Sequence, residues 1–285
     1  MRKSALFVPG NQASMHVGAF AFDVDAIIFD LEDAVALHHK DSARTLLRHS
    51  LSTLTMFKIP KYVRVNPIDS PFFKEDIAQM IQAPIDGLMI PKADAYNLLQ
   101  IIKWCEQVET QHSKKQTPLW IIVETALGVE TLWDMVNTTD RITHVLLGGE
   151  DLMSDLHVKQ TYNRQELAYP RAKVAMVSKA KKLLCYDTPY VEINNEKGLL
   201  EDAIQAKNVG FDSKIAIHPS QVDVINAVFS YTEEEINQAK EIIEAYNQAQ
   251  QQGLGAFSFK GKMVDKPVLN RAMHIINSIE GNKHD

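Results

Sequence analysis

The chain has 285 residues, 45% of them hydrophobic, and no apolar run near the roughly 20 residues that a membrane helix requires. A formal net charge of −6, with only isolated Lys-Lys pairs at 114–115 and 181–182, argues against a nucleic-acid-binding surface. The two cysteines lie far apart without metal-type spacing, so we expect a reduced, cytoplasmic protein with no nucleic-acid or membrane partner.

Short apolar segments along the chain predict eight strands. Met1-Arg-Lys-Ser4 leads directly into the first predicted strand, so we expect no signal peptide. The eight predicted strands lie near residues 4–8, 25–30, 62–66, 87–91, 119–124, 144–149, 186–192 and 213–218.

Helical segments separate most of these strands. Leu98, Ile101, Ile102 and Cys105, for example, fall on one face of a helix. The alternation predicts an α/β fold, a (β/α)8 TIM barrel over residues 1–230. An open, doubly wound sheet is the alternative, but no Gly-rich dinucleotide fingerprint follows any strand.

Residues 231–285 depart from this alternation and are predicted to form a helical extension of the same domain. Thr232-Glu-Glu-Glu235 is typical of a capping box that begins a helix, and Pro267 begins a second one. Between these helices lies a Gly- and Lys-containing segment, 257–265. Two interpretations remain open: a lid or arm that reaches a neighbouring subunit, or a clasp that only packs on the barrel.

Polar residues follow many of the predicted strands at their C-terminal ends. The residues in this row are Asp30, Glu32, Asp33, Arg64, Lys92, Glu124, Glu150 and Asp151. The C-terminal strand ends of a closed parallel barrel meet around one mouth, where catalysis is usually found. The sequence therefore predicts a single acidic pocket that also contains an arginine and a lysine.

Glu124 and Asp151 follow successive predicted strands, which places the two carboxylates side by side in a barrel. Two carboxylates with open positions for water and substrate oxygens are typical of a Mg²⁺ site. The alternative is that each acid only stabilises the N-terminus of the next helix. The pairing at matching strand ends favours the metal.

The remaining polar residues of the row allow two interpretations each. Glu32 and Asp33 either orient metal-bound water or begin an exposed loop. Arg64 lies inside an apolar strand, so it either contacts a substrate oxyanion or forms a buried ion pair with a nearby acid. Pro9 and Gly10 form a turn whose backbone N–H groups either approach a substrate or serve the turn alone.

Ten segments of the chain match one known family pattern: Ser4–Gly10, Ala26–Val35, Lys40–Arg44, Val63–Asn66, Ile90–Lys92, Val123–Ala126, Leu147–Asp151, Gly210–Lys214, Ile217–Gln221 and Gly261–Asp265. Taken together, these segments resemble the citrate lyase beta-subunit family of carbon–carbon lyases. They occur in order over nearly the whole chain. The family is similar to the wider citryl-, malyl- and citramalyl-CoA lyase group of the HpcH/HpaI-type aldolases.

The resemblance implies a TIM barrel, a Mg²⁺ cofactor and a homotrimer. By position, Glu124 and Asp151 would hold the metal, and Glu124 would also lie against the substrate. Glu32 and Asp33 would support metal-bound water as part of the catalytic set. The substrate would be linked to CoA or to an acyl carrier.

The resemblance also implies roles for residues outside the metal site. Arg64 would contact the substrate near the thioester carbonyl, with Pro9, Gly10 and Lys92 as further substrate-binding residues. Asp265 would come from a neighbouring subunit and act as the general acid/base. The implied reaction cleaves a 3-hydroxy-3-carboxyacyl thioester into a 2-oxo acid and an acetyl thioester.

Three hypotheses of function follow. The first is a stand-alone Mg²⁺-dependent lyase acting on a citramalyl-, malyl- or citryl-type thioester. The second is the citryl-cleaving subunit of a citrate lyase complex, which uses an acyl-carrier protein. The third is a barrel that binds a thioester or a partner without turnover. A related barrel enzyme acting on phosphoenolpyruvate is a further option, which the Asp265 arm disfavours.

Local differences from the family pattern affect the choice of substrate. Pro170 replaces a small residue, and the segment 187–198 matches only in outline, so both are expected to reshape the acyl-chain or CoA pocket. The run Ile217-His-Pro-Ser-Gln221 is more similar to stand-alone CoA-thioester lyases. Asp33-Ala-Val-Ala-Leu37 is more similar to the subunit of the complex. The balance slightly favours the stand-alone form.

Overall fold

A computed structural model of the chain describes residues 3–161, 163–251 and 256–280. It divides into two compact units, one ending at Val228 and one beginning at Phe229. In the first unit, eight parallel strands form a closed barrel in sequence order. This confirms the predicted (β/α)8 barrel.

Within the described residues, helices follow the barrel strands along the chain. The strands are β1 (Ala5–Pro9), β2 (Ala26–Asp30), β3 (Lys61–Arg64), β4 (Gly87–Ile90), β5 (Leu119–Val123), β6 (Ile142–Leu147), β7 (Leu184–Asp187) and β8 (Ser213–Ala216). The helices are α1 (Ala13–Gly18), α2 (Lys40–Thr53), α3 (Phe73–Gln82), α4 (Ala95–Gln111), α5 (Ala126–Thr138), α6 (Gly149–Asp155), α7 (Ala168–Ala180), α8 (Glu196–Val209) and α9 (Val222–Phe229).

The strand ends differ most from the prediction at β7. The apolar residues of 186–192 predict a strand there, but β7 ends at Asp187. Pro189 lacks a backbone N–H and cannot continue a ladder, so the chain leaves the barrel at Thr188. The residues that follow β7 consequently lie in a loop at the barrel mouth.

Inward-facing side chains fill the barrel in layers, because alternate residues of a strand point to the same side. Aromatic residues dominate the middle of the barrel: Trp120 packs edge-on against Tyr62 at a centroid distance of 5.2 Å and is stacked on His144 at 4.5 Å. The register pairs Pro9 with Asp30 and Asp30 with Arg64. These three residues therefore form a row at the C-terminal end of the barrel.

The second unit contains α10 (Glu233–Gln251), β9 (Phe257–Phe259), β10 (Lys262–Val264) and α11 (Lys266–Glu280). The predicted capping box is present, because Thr232 N donates to Glu235 Oε2 over 2.8 Å and Glu235 N donates to Thr232 Oγ1 over 3.1 Å. The predicted Gly- and Lys-containing loop is a β-hairpin. Its turn residues, Lys260 and Gly261, have φ values of 48° and 77°, as a type I′ turn requires.

Of the helices in the described parts of the chain, none combines the length and the apolar character needed to cross a bilayer.

Candidate active site

A cavity of about 390 Å³ opens at the C-terminal ends of the barrel strands. Acidic side chains of Asp30, Asp33, Glu124, Glu150 and Asp151 line it. Among the described residues, Arg64 is the only basic side chain in its lining. This excess of carboxylates fits the acidic pocket that the row of polar residues predicts.

Glu124 follows β5 and is 3% exposed. Its Oε1 accepts a hydrogen bond from the backbone N of Lys92 over 2.6 Å, and Lys92 adopts a left-handed backbone with φ of 49°. Burial, together with the nearby negative charge of Asp151, raises the pKa of Glu124 to about 7. This carboxyl is thus placed where a cation would strongly favour its ionised form.

Gly148 lies against Glu124 and leaves space for its carboxylate. A Cβ atom on Gly148 would lie 2.5 Å from Glu124 Cβ and 2.6 Å from its Oε2. The next glycine, Gly149, begins α6, and its backbone N donates to Thr188 Oγ1 over 2.9 Å. This contact connects α6, which carries Asp151 in its first turn, to the buried Thr188 after β7.

Arg64 forms the buried ion pair that the sequence left as an alternative to substrate contact. Its Nε and Nη2 donate to the two carboxylate oxygens of Asp30, each over 2.7 Å. Its Nη1 lies 3.1 Å from Glu32 Oε2 and 3.2 Å from Asp33 Oδ2. Burial alone would raise the pKa of Asp30, but Arg64 holds it below its usual value. Asp30 therefore fixes the orientation of the guanidinium, and Nη1 remains for other ligands.

Glu32 is buried beside Arg64 and is not part of the cavity lining. Burial raises the pKa of Glu32 to about 8, with Asp33 and Glu124 adding to the shift and Arg64 opposing it. Its Oε2 is buried and makes no hydrogen bond of good geometry, despite its proximity to Arg64. The backbone of this loop is held by Lys40, whose Nζ donates to Glu32 O over 2.6 Å.

The turn after β1 is fixed from behind by a buried histidine. His16 Nε2 donates to Pro9 O over 3.0 Å, and His16 Nδ1 lies 2.9 Å from Ser50 Oγ. Since a carbonyl oxygen can only accept, Nε2 carries the proton, and burial lowers the pKa of His16. Gly10 N donates to Asp30 O over 2.8 Å, and a Cβ at Gly10 would lie 2.7 Å from that oxygen. The backbone N–H of Gly10 therefore donates to the protein's own backbone and not to a substrate.

A Mg²⁺ ion fits this donor set. Within residues 3–161, 163–251 and 256–280, no group of three or more His, Cys, Asp or Glu side chains is arranged as a metal site. Mg²⁺ does not need one, because it commonly binds through one or two carboxylates and completes its shell with water and substrate oxygens. Glu124 and Asp151 supply that pair at the cavity wall, and the buried Oε2 of Glu32 is a further acceptor.

The structure therefore brings most of the predicted site residues together. Pro9, Asp33, Arg64, Glu124 and Asp151 line the cavity. Glu32, Gly10 and Lys92 adjoin it through the contacts given above, but the side chain of Lys92 is exposed. Asp265 lies in the second unit, directly before α11, and its Oδ1 accepts a hydrogen bond from Val268 N over 3.2 Å.

Sequence reasoning missed the supporting roles of several residues. Lys40 and Asp30 lie within segments that resemble the family. No sequence pattern shows that Lys40 holds the backbone of the loop at Glu32, or that Asp30 orients the guanidinium of Arg64. Thr188 lies in the segment that matches only in outline, and three residues of that segment, Thr188, Pro189 and Val191, line the cavity. Pro170, by contrast, is buried in the first turn of α7 and is not in the lining.

Comparisons with known proteins match most of the chain. The model of the HpcH/HpaI aldolase/citrate lyase family matches residues 3–219. The chain is 35% identical to citrate lyase subunit beta of Leuconostoc mesenteroides subsp. cremoris over 288 residues, covering 99% of this chain and 94% of that protein. It is 31% identical to mitochondrial citramalyl-CoA lyase of Rattus norvegicus over 287 residues, covering 96% and 85% of the two chains.

A solved structure is similar over nearly the same length. This is protein CitE from Mycobacterium tuberculosis in complex with magnesium, acetoacetate and coenzyme A, with a TM-score of 0.79 and 27% identity. The match covers 97% of each chain.

Proposed function

The chain belongs to the HpcH/HpaI aldolase/citrate lyase family, and we propose on that premise that it is a Mg²⁺-dependent carbon–carbon lyase. Its substrate is a 3-hydroxy-3-carboxyacyl thioester, and its products are a 2-oxo acid and an acetyl thioester. The observation that carries the proposal is the pair of carboxylates, Glu124 and Asp151, in one cavity with the fixed guanidinium of Arg64.

Glu124 and Asp151 would hold the metal ion. When bound, Mg²⁺ acts as a Lewis acid toward the hydroxyl and carboxylate oxygens of the substrate. Asp33, with the buried Glu32 behind it, would hold water around the ion.

The chain's own residues carry the remaining steps. The substrate hydroxyl gives its proton to a general base of the site, and its oxygen becomes the carbonyl oxygen of the 2-oxo acid as the bond between C2 and C3 breaks. The electron pair of that bond passes to the thioester enolate. Arg64 Nη1 would donate to the enolate oxygen, while Asp30 keeps the guanidinium in place. One preorganised donor of this kind typically contributes about 3–4 kcal/mol.

The enolate carbon needs a proton donor, and Asp265 is the proposed general acid/base. We infer that it acts from the second unit of a neighbouring subunit, in a homotrimer. The hairpin directly before Asp265 and the cap it forms on α11 support a defined position for its carboxylate.

The carrier of the thioester separates two candidate forms. In one, the enzyme acts alone on a CoA ester; in the other, it is the citryl-cleaving subunit of a citrate lyase complex that uses an acyl-carrier protein. The identity of 35% to a citrate lyase subunit against 31% to a citramalyl-CoA lyase favours the second form, and the Ile217–Gln221 run favours the first. In either form we expect a cytoplasmic enzyme.

One assay distinguishes the two catalytic forms from each other and from a barrel that binds a thioester without turnover. Purified protein is given citramalyl, malyl and citryl thioesters, each as the CoA ester and on an acyl-carrier protein, and release of the 2-oxo acid is measured. Turnover of the CoA esters supports the stand-alone form, and turnover only on the carrier supports the subunit. No turnover on either carrier contradicts the lyase proposal.

A further inference from the structure

Helix α6 begins without a cap from its own N-cap residue. That residue is Gly148, which has no side chain and makes no capping hydrogen bond. A larger residue does not fit there, because a Cβ on Gly148 would lie 2.5 Å from Glu124 Cβ. The first N–H groups of a helix have no partner within the helix, so a capping acceptor for α6 must come from another part of the chain.

Thr188 provides this acceptor from the loop that follows β7. Its Oγ1 accepts a hydrogen bond from the backbone N of Gly149, the first residue of α6, over 2.9 Å. The two residues approach closely, since a Cβ on Gly149 would lie 2.9 Å from Oγ1 and 3.1 Å from Cγ2 of Thr188. Both residues line the cavity. The hydroxyl of Thr188 therefore caps α6 at the edge of the candidate active site.

Thr188 is itself firmly held. It is fully buried, and its backbone O accepts a hydrogen bond from Lys214 Nζ over 2.5 Å. Lys214 Nζ in turn donates to Asp187 and Asp202, each over 2.6 Å. Pro189 follows directly and restricts the backbone of Thr188 to extended conformations. The backbone of Thr188 therefore cannot shift without disturbing a buried ionic cluster.

A further contact of the first turn of α6 is longer. Glu150 Oε1 lies 3.9 Å from Arg164 Nη2, beyond hydrogen-bonding distance, and the side chain of Glu150 is 46% exposed. A charge pair at this distance and exposure imposes little geometry on the helix. The hydrogen bond to Thr188 is therefore the contact that defines where α6 begins.

We propose, on the basis of the lyase function above, that Thr188 is a positioning residue of the metal site. It acts through α6, whose first turn carries Asp151, and not by touching the metal or the substrate. With its first N–H bonded to Thr188, α6 holds Asp151 at the cavity wall near Glu124 before the ion binds. A ligand that is already in place loses less conformational freedom on binding, so the affinity for Mg²⁺ is higher.

Titration calorimetry with Mg²⁺ tests this role by two substitutions at one position. Thr188→Val keeps the shape of the side chain but removes the acceptor, whereas Thr188→Ser keeps the hydroxyl. We expect the Kd for Mg²⁺ to rise by about tenfold in Thr188→Val, as for the loss of a capping acceptor, and to stay within about twofold of wild type in Thr188→Ser. Thr143→Val, near the opposite end of β6, removes a hydroxyl that donates to Leu119 O and should leave the Kd unchanged.

Thermal unfolding of the same proteins separates positioning from stability. If Thr188 were only structural, Thr188→Val would unfold at a lower temperature but would bind Mg²⁺ like wild type wherever it is folded, and that result overturns the inference. Binding in Thr188→Ser as weak as in Thr188→Val overturns it too. If Thr188→Val does not fold, Thr188→Ala, which also lacks the acceptor, is compared with Thr188→Ser in its place.

The wild-type protein distinguishes failure of this inference from failure of the proposed function. If wild type binds Mg²⁺ and cleaves a thioester while Thr188→Val keeps the same Kd, only the role of Thr188 is refuted. If wild type neither binds Mg²⁺ nor cleaves a thioester, the proposed function and the inference are refuted together.

Discussion

Arg64 reaches the cavity through a single nitrogen because Asp30 holds the other two. The two hydrogen bonds are charge-assisted and parallel, a geometry that only the planar guanidinium fork provides. Asp30 is 2% exposed and also accepts hydrogen bonds from the backbone N atoms of Glu32 and Ala34. One carboxylate thus orders both the guanidinium and the acidic loop that follows β2.

Replacing Asp30 tests this positioning role. Asp30→Asn keeps the size of the side chain but removes the charge and one acceptor, so the guanidinium loses its fixed orientation. We expect kcat/KM to fall by about 10- to 100-fold, the equivalent of losing a charge-assisted hydrogen bond. Asp41→Asn is the matched control, because Asp41 pairs with Arg44 and is 78% exposed. An Asp30→Asn enzyme within twofold of wild type, by steady-state kinetics, would refute the role.

Glu124 links metal binding to pH. Its pKa is raised to about 7 by burial and by Asp151, so a substantial fraction is protonated in the metal-free protein near neutrality. Mg²⁺ binds the ionised form, and its affinity should therefore rise as the pH increases from about 6 to 8. Titration calorimetry measures this, with Glu124→Gln expected to bind weakly at every pH and Glu130→Gln, a surface control, to follow wild type. Wild-type affinity in Glu124→Gln would exclude Glu124 as a ligand.

At the scale of single elements, the β6–α6 connection is built around its glycines. A Cβ at Gly148 would overlap Glu124, so Gly148→Ala should displace that carboxylate and weaken Mg²⁺ binding by about tenfold or more. Gly18→Ala is the control, since a Cβ there meets no atom within 4 Å. Calorimetry gives the affinities and thermal unfolding shows that both variants fold. Unchanged Mg²⁺ affinity in Gly148→Ala would mean that the carboxylate does not depend on this space.

The wall formed by β7, β8, α7 and α8 contains a buried ionic cluster. Lys214 Nζ donates to Asp187 and Asp202, each over 2.6 Å, and Arg171 donates to the same two carboxylates. Burial alone would raise the pKa of Asp202, but Lys214 and Arg171 lower it to about 2. Each charge is paired, which is the condition under which such a cluster is tolerated in a core.

The lowered pKa of Asp202 predicts how the free energy of unfolding changes at acidic pH. A carboxylate with a lowered pKa contributes stability above its unfolded pKa of about 4, and this is lost as the pH falls toward about 2. Asp202→Asn should therefore unfold more easily than wild type at pH 7, by about 3–5 kcal/mol, and the difference should shrink below about pH 4. Urea unfolding at several pH values measures it. If the stability difference between Asp202→Asn and wild type did not change with pH, it would not arise from the ionised carboxylate of Asp202.

The sequence predicts the positions of strands and helices better than it predicts the contacts between side chains, and particular residues show why. The apolar runs locate all eight barrel strands, since buried parallel strands leave a strong local signal. The end of β7 was misplaced because Tyr190 and Val191 continue the apolar pattern into a loop. Whether Arg64 can form an ion pair with Asp30 depends on the register of β2 and β3, which places the two residues opposite each other. No local sequence pattern encodes this register.

At the scale of the whole molecule, the proposal places Asp265 of one subunit at the cavity of its neighbour. Asp265 caps α11 through its Oδ1, and asparagine is an equally good capping residue. Asp265→Asn should therefore preserve the helix and Mg²⁺ binding while reducing kcat strongly. Lys266→Gln, a change at the adjacent exposed residue, serves as the control.

Mixing inactive variants tests whether Asp265 acts across subunits. Oligomers reassembled from Asp265→Asn and Arg64→Ala chains contain some sites with both residues intact, and part of the activity should return. Activity no higher than that of the separate variants would place Asp265 in its own subunit's site or outside catalysis.

The carboxylate pair of Glu124 and Asp151 is proposed to form a metal-dependent lyase site with Arg64. The most direct measurement is the rate of 2-oxo acid release from the thioesters, in Mg²⁺ and in EDTA, for wild type and Glu124→Gln. We expect release with Mg²⁺ that EDTA abolishes and that Glu124→Gln largely removes. Release that proceeds equally in EDTA, or undiminished in Glu124→Gln, would contradict it.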